Sequence, residues 1–445
     1  MKSIFFLMIC FLVPYCLSAQ TRWDLKSCIE YGLKNNRNTT VYENEKKAAD
    51  ARAREALAAY LPSINATGTV DNNLKVQETV IPAGIFGPED TRVAFSKKYS
   101  TNGTAQLDQV IFDQSLLTGL KASKYNRQQA DLNGQMNEEA IIYNVSNAFY
   151  QIFVYREQLN FIRSVQETYR RQIDINSLKV KKGVILQKEL DKILVDYNNS
   201  LSQLRVAESN LALSENQLKY EMGYPFEQPL PLDSAAASYS GIVTATAVID
   251  SSFSPGNRVE YRLSEVNLKL LEIDESRIKA GALPKLSGYF RYGANGFGDD
   301  LGPTFRDMSS FSATGIKLTI PVFDFFKRNA QASQAKYKKL NAQEALELDK
   351  GKYRLQFENA RTKLTEAQLN VENDRRNIDL AHSVFETTDL QYQKGVTDLT
   401  DWLNAQNSLK EAHNNFLNSL YKLFVTKVDF DKAAGTLKTS YTLYR

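Results

Sequence analysis

Two programmes of hydrophobic spacing alternate along this chain, and each is run through twice. In the first, apolar residues recur every three or four positions, at Val145, Phe149, Ile152, Leu159, Ile162, Val165, Tyr169 and Ile173, the signature of an amphipathic helix. No proline falls between Gln114 and Lys179, so the spacing predicts one helix of about 66 residues, about 100 Å long at 1.5 Å per residue. Its second version, through Tyr353, Phe357, Ala360, Leu364, Ala367, Val371, Ile378, Ala381 and Phe385, keeps an a/d seam interrupted only at Asp374. A shorter helix returns after each rod, carrying Leu190, Leu194, Tyr197, Leu201, Leu204, Leu211 and Leu218 in one copy. Leu409, Ala412, Phe416, Leu420 and Leu423 do the same in the other. Helices expected near 38–60 and 257–282 open each copy and supply the length that the return helices lack.

The second programme has period two. Leu61-Pro62 and Leu283-Pro284 end the opening helices, because the residue before proline is pushed to extended geometry. Ile64, Ala66, Gly68 and Val70 then alternate with Asn65, Thr67, Thr69 and Asp71. Ala105 and Leu107 alternate with Gln106 and Asp108, and Phe311, Ile316, Leu318 and Ile320 have Lys317 and Thr319 between them. Four strands of about nine or ten residues follow, the length of tilted membrane strands. Pro82, Gly84, Gly87 and Pro88 in one copy and GANGFGDD (293–300) in the other read as exposed loops. No helix is expected after GANGFGDD, which argues against a phosphate-binding glycine loop.

Shared words tie the copies together: LKVKKGV (178–184) with LQYQKGV (390–396), AYLPSINATGTV (59–70) with GALPKLSGYFRY (281–292), and QVIFD (109–113) with IPVFD (320–324). The turn glycines, Gly183 and Gly395, stand about 212 residues apart, too far for a solenoid repeat. The chain therefore divides into a signal peptide (1–19), a first repeat (20–222), an inter-repeat segment (223–256), a second repeat (257–432) and a tail (433–445). The inter-repeat segment, with Pro225, Pro229, Pro231 and Pro255, and the tail are expected in a girdle at mid-height. The fold class is mainly α with membrane β: a duplicated long-helix coiled coil plus four strands per chain.

Lys2, the apolar run Ile4 to Val13 and Leu17-Ser18-Ala19 form the secretory leader. Beyond it no run of about 18 apolar residues could cross a bilayer as a helix, so a crossing must be by β-barrel. Four strands cannot close a barrel, and lipid does not tolerate open sheet edges. Two chains would give eight strands around a filled interior, whereas three would give twelve and leave a lumen. A homotrimer with a pore is the simplest closure.

Candidate chemistry is sparse. The 55 basic and 51 acidic side chains leave a formal charge of +4, too balanced to attract nucleic acid. Cys28 is the one cysteine beyond the leader and reads as a packed small residue. His382 and His413 lie thirteen before and eighteen after Gly395, which would not bring them level on antiparallel helices and argues against a histidine metal centre. No Gly-x-Ser-x-Gly, phosphate loop or Cys-x-x-Cys is present, so neither an enzyme nor a cofactor is expected.

WDLKSCIEYGLKNN (23–36), the two Leu-Pro steps, VIFD, PVFD and the paired KGV turns, in this order, resemble the TolC family of outer-membrane efflux proteins over nearly the whole mature chain. LQYQKGVTDLTDWLNAQNSLKEA (390–412) is especially similar. The resemblance implies a homotrimer with a shared twelve-stranded barrel in outer-membrane lipid, continued by a helical tunnel through the periplasm. It implies a passive exit duct, partnered by a periplasmic adaptor and an inner-membrane pump or secretion transporter. It places Lys181, Lys182, Gly183, Val184, Lys394, Gly395 and Val396 at the periplasmic tip where the adaptor docks. Asp401 would stand at the entrance constriction, three copies forming an acidic ring that favours cations, with Glu189 its counterpart in the first copy. The family's second acid is Asn404 here and its basic latch residue is Thr397, leaving Tyr392 available as a hydrogen-bonding latch. Asp398 and Asp401 read equally as a capping pair at a helix start. The rival function, a periplasmic coiled-coil scaffold without a pore, rests on the heptad seams and leaves the alternating hairpins unexplained.

Overall fold

The computed structural model describes residues 23–85, 87–233 and 253–442. The expected leader and most of the inter-repeat segment lie outside the described residues. Helices α1 (Leu25–Asn35) and α2 (Arg37–Ala58) open the described chain. They are followed by β1 (Ser63–Asn72), a small hairpin of β2 (Glu78–Ile81) and β3 (Thr91–Ala94), and β4 (Tyr99–Phe112). Then come α3 (Gln114–Leu120), α4 (Ala122–Lys181) and α5 (Gln187–Met222). The second pass runs through α6 (Val259–Ala280), β5 (Lys285–Gly298), α7 (Leu301–Arg306), β6 (Met308–Thr319), α8 (Lys327–Gln393), α9 (Leu399–Ala434) and α10 (Leu437–Thr442).

Two compact units share these elements. One combines residues up to Val41, Gln135–Val259 and those from Gly351 on; the other combines Tyr42–Gly134 and Glu260–Lys350. Each unit draws on both sequence copies.

The second unit holds one antiparallel sheet in the order β1-β4-β5-β6, with β1 and β6 as its edges. Because side chains alternate across a strand, the register sorts residues by polarity through the middle of β1, β4 and β5 and the second half of β6. Ile64, Leu107 and Phe290 form one cross-strand row, and Ala66, Ala105 and Tyr292 another on the same face. Asn65, Gln106 and Arg291 make the adjacent row on the opposite face, joined there by Asn102, hydrogen-bonded to Asn295. Gln106 also donates to Asp108 at 2.7 Å. On these rows one face is apolar or small and the other polar, as the alternation predicts; on β6, Ser310, Ser312 and Thr314 share the first face and Phe311 the second.

The strands hold 10, 14, 14 and 12 residues, β1 as long as expected and the other three longer, and GANGFGDD is not a loop. Residues 293–298 continue β5, and α7 follows. The glycines there serve close packing: a Cβ on Gly293 would lie 2.6 Å from the Gly103 carbonyl oxygen, and one on Gly298 would lie 2.5 Å from Thr304 Oγ1. Composition that reads as loop was the mark of a crowded strand. Pro82, Gly84, Gly87 and Pro88 lie outside any strand as expected, between the paired β2 and β3.

The rods form nearly as expected. α4 has 60 residues and α8 has 67, about 90 and 100 Å at the standard rise. The expected helix from Gln114 is broken at Lys121, where the ladder tightens to a bond from Lys121 N–H to Thr118 O at 3.2 Å. In the first unit Val145, Phe149, Ile152, Leu159, Ile162, Val165 and Tyr169 are buried along α4, and Tyr353 through Val371 along α8. Tyr150 stacks on Phe424 of α9 with centroids 4.4 Å apart. Cys28 is fully buried in this core, where desolvation pushes its thiol up to about 12.

The two return helices differ. On α5 the buried line is Ile193, Ser200, Ala207 and Ser214, one residue every seven. The leucines expected to form that seam flank it half-buried, except Leu218, which is buried. α9 buries Leu409, Leu420 and Leu423 as expected, along with Trp402, Phe424 and Phe430.

Both return helices end on a left-handed glycine, Gly223 at φ 68° and Gly435 at φ 72°. A Cβ on Gly223 would sit 2.7 Å from the Asn35 carbonyl oxygen, and one on Gly435 2.7 Å from that of Asn257. Alanine at either position is expected to cost about 1–2 kcal/mol for the backbone region, plus about 1–3 kcal/mol for displacing the chain it abuts. Gly183 and Gly395 have similar φ but nothing within 4 Å, so alanine there carries only the first cost. Thermal unfolding should therefore rank Gly435→Ala below Gly395→Ala. Equal melting temperatures would show that the close approach at Gly435 is not tight.

Candidate functional site: the paired helical turns

α4 and α8 end alike. Val184 N–H reaches Lys179 O at 2.9 Å and Gly183 N–H reaches Val180 O at 2.9 Å; Val396 N–H reaches Gln391 O at 2.9 Å and Gly395 N–H reaches Tyr392 O at 3.1 Å. This is the Schellman ending, in which a left-handed residue lets two N–H groups satisfy the last carbonyls. Gly183 and Gly395 supply it at φ 71° and 74°. Lys181, Lys182, Val184, Lys394 and Val396 are all exposed around these turns.

The turns are neighbours. Lys179 Nζ lies 4.8 Å from the centre of the Tyr392 ring, and one apolar cluster gathers Val165, Tyr169, Ile193, Tyr392, Leu399 and Trp402 from all four helices. A chain of polar side chains runs beside it. The Tyr392 hydroxyl donates to Asn176 Oδ1 at 2.6 Å, and Asn176 Nδ2 donates to the Gln172 carbonyl at 2.8 Å. Gln172 Nε2 donates to Asp389 Oδ1 at 3.1 Å, as does Trp402 Nε1 at 2.7 Å, while Gln393 Nε2 donates to Asp389 Oδ2 at 2.8 Å. Asn176 and Gln172 are buried, and an unmade bond there leaves a desolvated polar group.

The Tyr392 hydroxyl is thus engaged within its own chain, joining α8 to α4. Desolvation raises its pKa, against the Asn176 bond, and the charges of Glu189 and Asp398 push the same way as burial.

Glu189 and Asp401 occupy the same third position of α5 and α9, where a carboxylate favours the positive helix end. Their surroundings differ. Asp398 caps α9, accepting from Asp401 N–H at 2.9 Å, whereas Leu186 precedes α5 with no side-chain cap. The Asp401 carboxylate accepts from the Thr397 hydroxyl at 2.6 Å and so holds the start of its own helix. Glu189 pairs with Lys192 at 3.0 Å. Asn404 is exposed one turn along from Asp401.

Sequence reasoning missed Gln172, Asn176, Asp389 and Trp402. Their signal was present: Gln172 and Asn176 continue the three-and-four spacing of α4 beyond Tyr169, and Asp389 lies four past Phe385 and three before Tyr392. Polar residues on an otherwise apolar seam mark a buried network.

Further along, His413 stacks on Phe161 with centroids 3.6 Å apart, and its Nδ1 is buried without a partner. His382 and His413 both border a cavity of about 540 Å³ with Phe385 and Gln406. Desolvation lowers the His413 pKa to about 4. The unfolded chain then binds a proton that the folded chain refuses between about pH 6.5 and 4, so this group withdraws stability as pH falls through that window. His413→Gln should flatten the loss of melting temperature between pH 7 and 4.5. An unchanged slope would assign the acid sensitivity elsewhere.

A family model described as Outer membrane efflux protein matches residues 29–223 and 277–436. The chain belongs to the outer membrane efflux protein family. Outer membrane protein TolC of Vibrio cholerae is 19% identical over 402 residues, covering 88% of this chain and 86% of that protein. The channel CusC superposes with a TM-score of 0.74 at 16% identity over 93% of this chain and 92% of its own. The CmeC outer membrane channel of Campylobacter jejuni gives 0.72 at 17%, covering 93% and 85%. These likenesses show the fold. As a member of the outer membrane efflux protein family, the chain resides in the outer membrane, and both Schellman turns fall inside the matched segments.

Proposed function

We propose that three copies of this chain close their sheets into one twelve-stranded barrel and act as the outer-membrane exit duct for an inner-membrane transporter. The observation that carries this is the sheet: an apolar face, a polar face and two edges, β1 and β6, each paired on one side only among the described residues. Lipid tolerates the apolar face but not the edges, and twelve strands leave a lumen for the polar face to line. A scaffold without a pore would have no use for either property. Mass in mild detergent and bilayer recording test the reading: a trimer that conducts is expected, and a soluble periplasmic protein or a non-conducting monomer would overturn it.

The helical turns are the proposed periplasmic end. Lys181, Lys182, Gly183 and Val184, with Lys394, Gly395 and Val396, would meet the adaptor through an exposed surface whose backbone is fixed by hydrogen bonds. Asp401 would contribute to an acidic entrance ring, weakened where a second acid is replaced by Asn404. Since Thr397 already holds the Asp401 carboxylate, the ring would act through fixed charge. Asp401→Ala is expected to weaken block by multivalent cations several-fold in reconstituted channels. Unchanged block would assign Asp401 to the helix start alone.

A further inference from the structure

On the polar face of the sheet, three successive rows of the β5–β6 pair share one arrangement: Tyr289 stands opposite Gly315, Arg291 opposite Ala313, and Gly293 opposite Phe311. Each ring lies across the strands onto the glycine with which it is paired. A Cβ on Gly315 would come 2.6 Å from the Tyr289 hydroxyl oxygen and 2.9 Å from its Cε1, and one on Gly293 would come 2.8 Å from Phe311 Cζ. Bare backbone beneath a ring lets it lie flat, the arrangement by which aromatics cover glycines in sheets. Arg291 therefore stands between two flattened rings and opposite a single methyl group.

The guanidinium is not neutralised within the chain. Arg291 is exposed and forms no ion pair among the described residues. Its Cζ lies 5.9 Å from the centre of the Tyr289 ring, at the outer reach of a cation–π contact. The carboxylate of the adjacent row, Asp108, accepts instead from Gln106 at 2.7 Å. Between the Ser287 and Asn295 rows this face carries two cations, Lys317 and Arg291, against one carboxylate, Asp108.

We infer that Arg291, repeated at one height by the three-fold symmetry of the barrel, forms a cationic ring in the lumen that favours aromatic carboxylates. A ring of arginines in a pore favours anions, and low-dielectric walls concentrate its field on the passing solute. The guanidinium fork matches a carboxylate through two parallel hydrogen bonds, and the flat faces of Tyr289 and Phe311 give the aromatic part of the solute a surface on which to stack. The inference rests on the duct reading and narrows it to a solute class. Its sign is opposite to that of the entrance ring proposed for Asp401, so the two act on different ions.

Planar-bilayer recording at pH 8 tests it with two anions, benzene-1,3,5-tricarboxylate and citrate, which carry similar charge while only the first has a ring. Wild-type channels should be blocked several-fold more strongly by the benzene tricarboxylate. Arg291→Gln should weaken block by both anions several-fold and move the reversal potential in a potassium chloride gradient toward cation preference, and Arg291→Lys should restore that potential. Phe311→Leu should remove the advantage of the aromatic anion and leave the reversal potential in place. Equal block by the two anions in the wild type, or block and reversal potential unchanged in Arg291→Gln, overturns the ring while the duct stands. A wild-type chain that forms no conducting trimer overturns the duct reading itself. Because Arg291 is exposed, its two variants report even where Phe311→Leu does not assemble.

Discussion

Trp402→Ala is expected to destabilise the helical turns by about 3–5 kcal/mol, the usual cost of truncating a large buried aromatic side chain. Trp402 is fully buried and touches Tyr169, Phe385 and Tyr392, with ring centroids 5.9, 5.9 and 6.2 Å away. Those residues come from α4 and α8, so its ring joins both rods to the start of α9. Its N–H also holds Asp389, the carboxylate on which Gln172 and Gln393 converge. Trp402→Phe should separate the two contributions. It keeps most of the packing and loses one charge-assisted bond, for about 1–3 kcal/mol. Amide hydrogen exchange provides the measurement: protection should fall sharply in 176–190 and 389–402 for the alanine variant and modestly for the phenylalanine one. If protection at both turns survives Trp402→Ala, the cluster does not hold them together. Under the duct reading, the alanine variant should also raise the open fraction of reconstituted channels.

How much of this was legible beforehand follows from the range of the forces involved. Period and punctuation are local, so the rods, the opening and return helices and the polarity of the strands could be read from spacing, and the Leu-Pro steps marked where one gave way to the other. Features decided by distant neighbours were misread. GANGFGDD looked like a loop because its glycines answer to Thr304 and Gly103 across space. The α5 seam looked like leucine because composition favours large apolar residues, whereas Ser200, Ala207 and Ser214 form the buried line. At the turns, the glycines and Asp398 were visible because Schellman endings and caps are local motifs. The Asn176–Tyr392 bond spans 216 residues, and no local rule pairs those positions, so the partner of Tyr392 was not legible.

Ile64→Arg and Asn65→Arg place the same charge at adjacent positions of β1 and are expected to have opposite consequences. Ile64 shares a row with Leu107 and Phe290, whereas Asn65 shares one with Gln106 and Arg291. If the first face meets lipid, arginine at 64 costs about 2–4 kcal/mol near the bilayer centre, and a trimer bears that cost at three sites. Yield of assembled trimer in the outer-membrane fraction should fall steeply. Arginine at 65 would face the lumen, where water solvates it, so assembly should persist while three added cations shift the reversal potential toward anion preference. The comparison is demanding because the added residue is the same, the positions are adjacent on one strand and the face differs. Equal loss of assembly in both variants would mean that the sheet does not separate lipid from water, and the duct would need another wall.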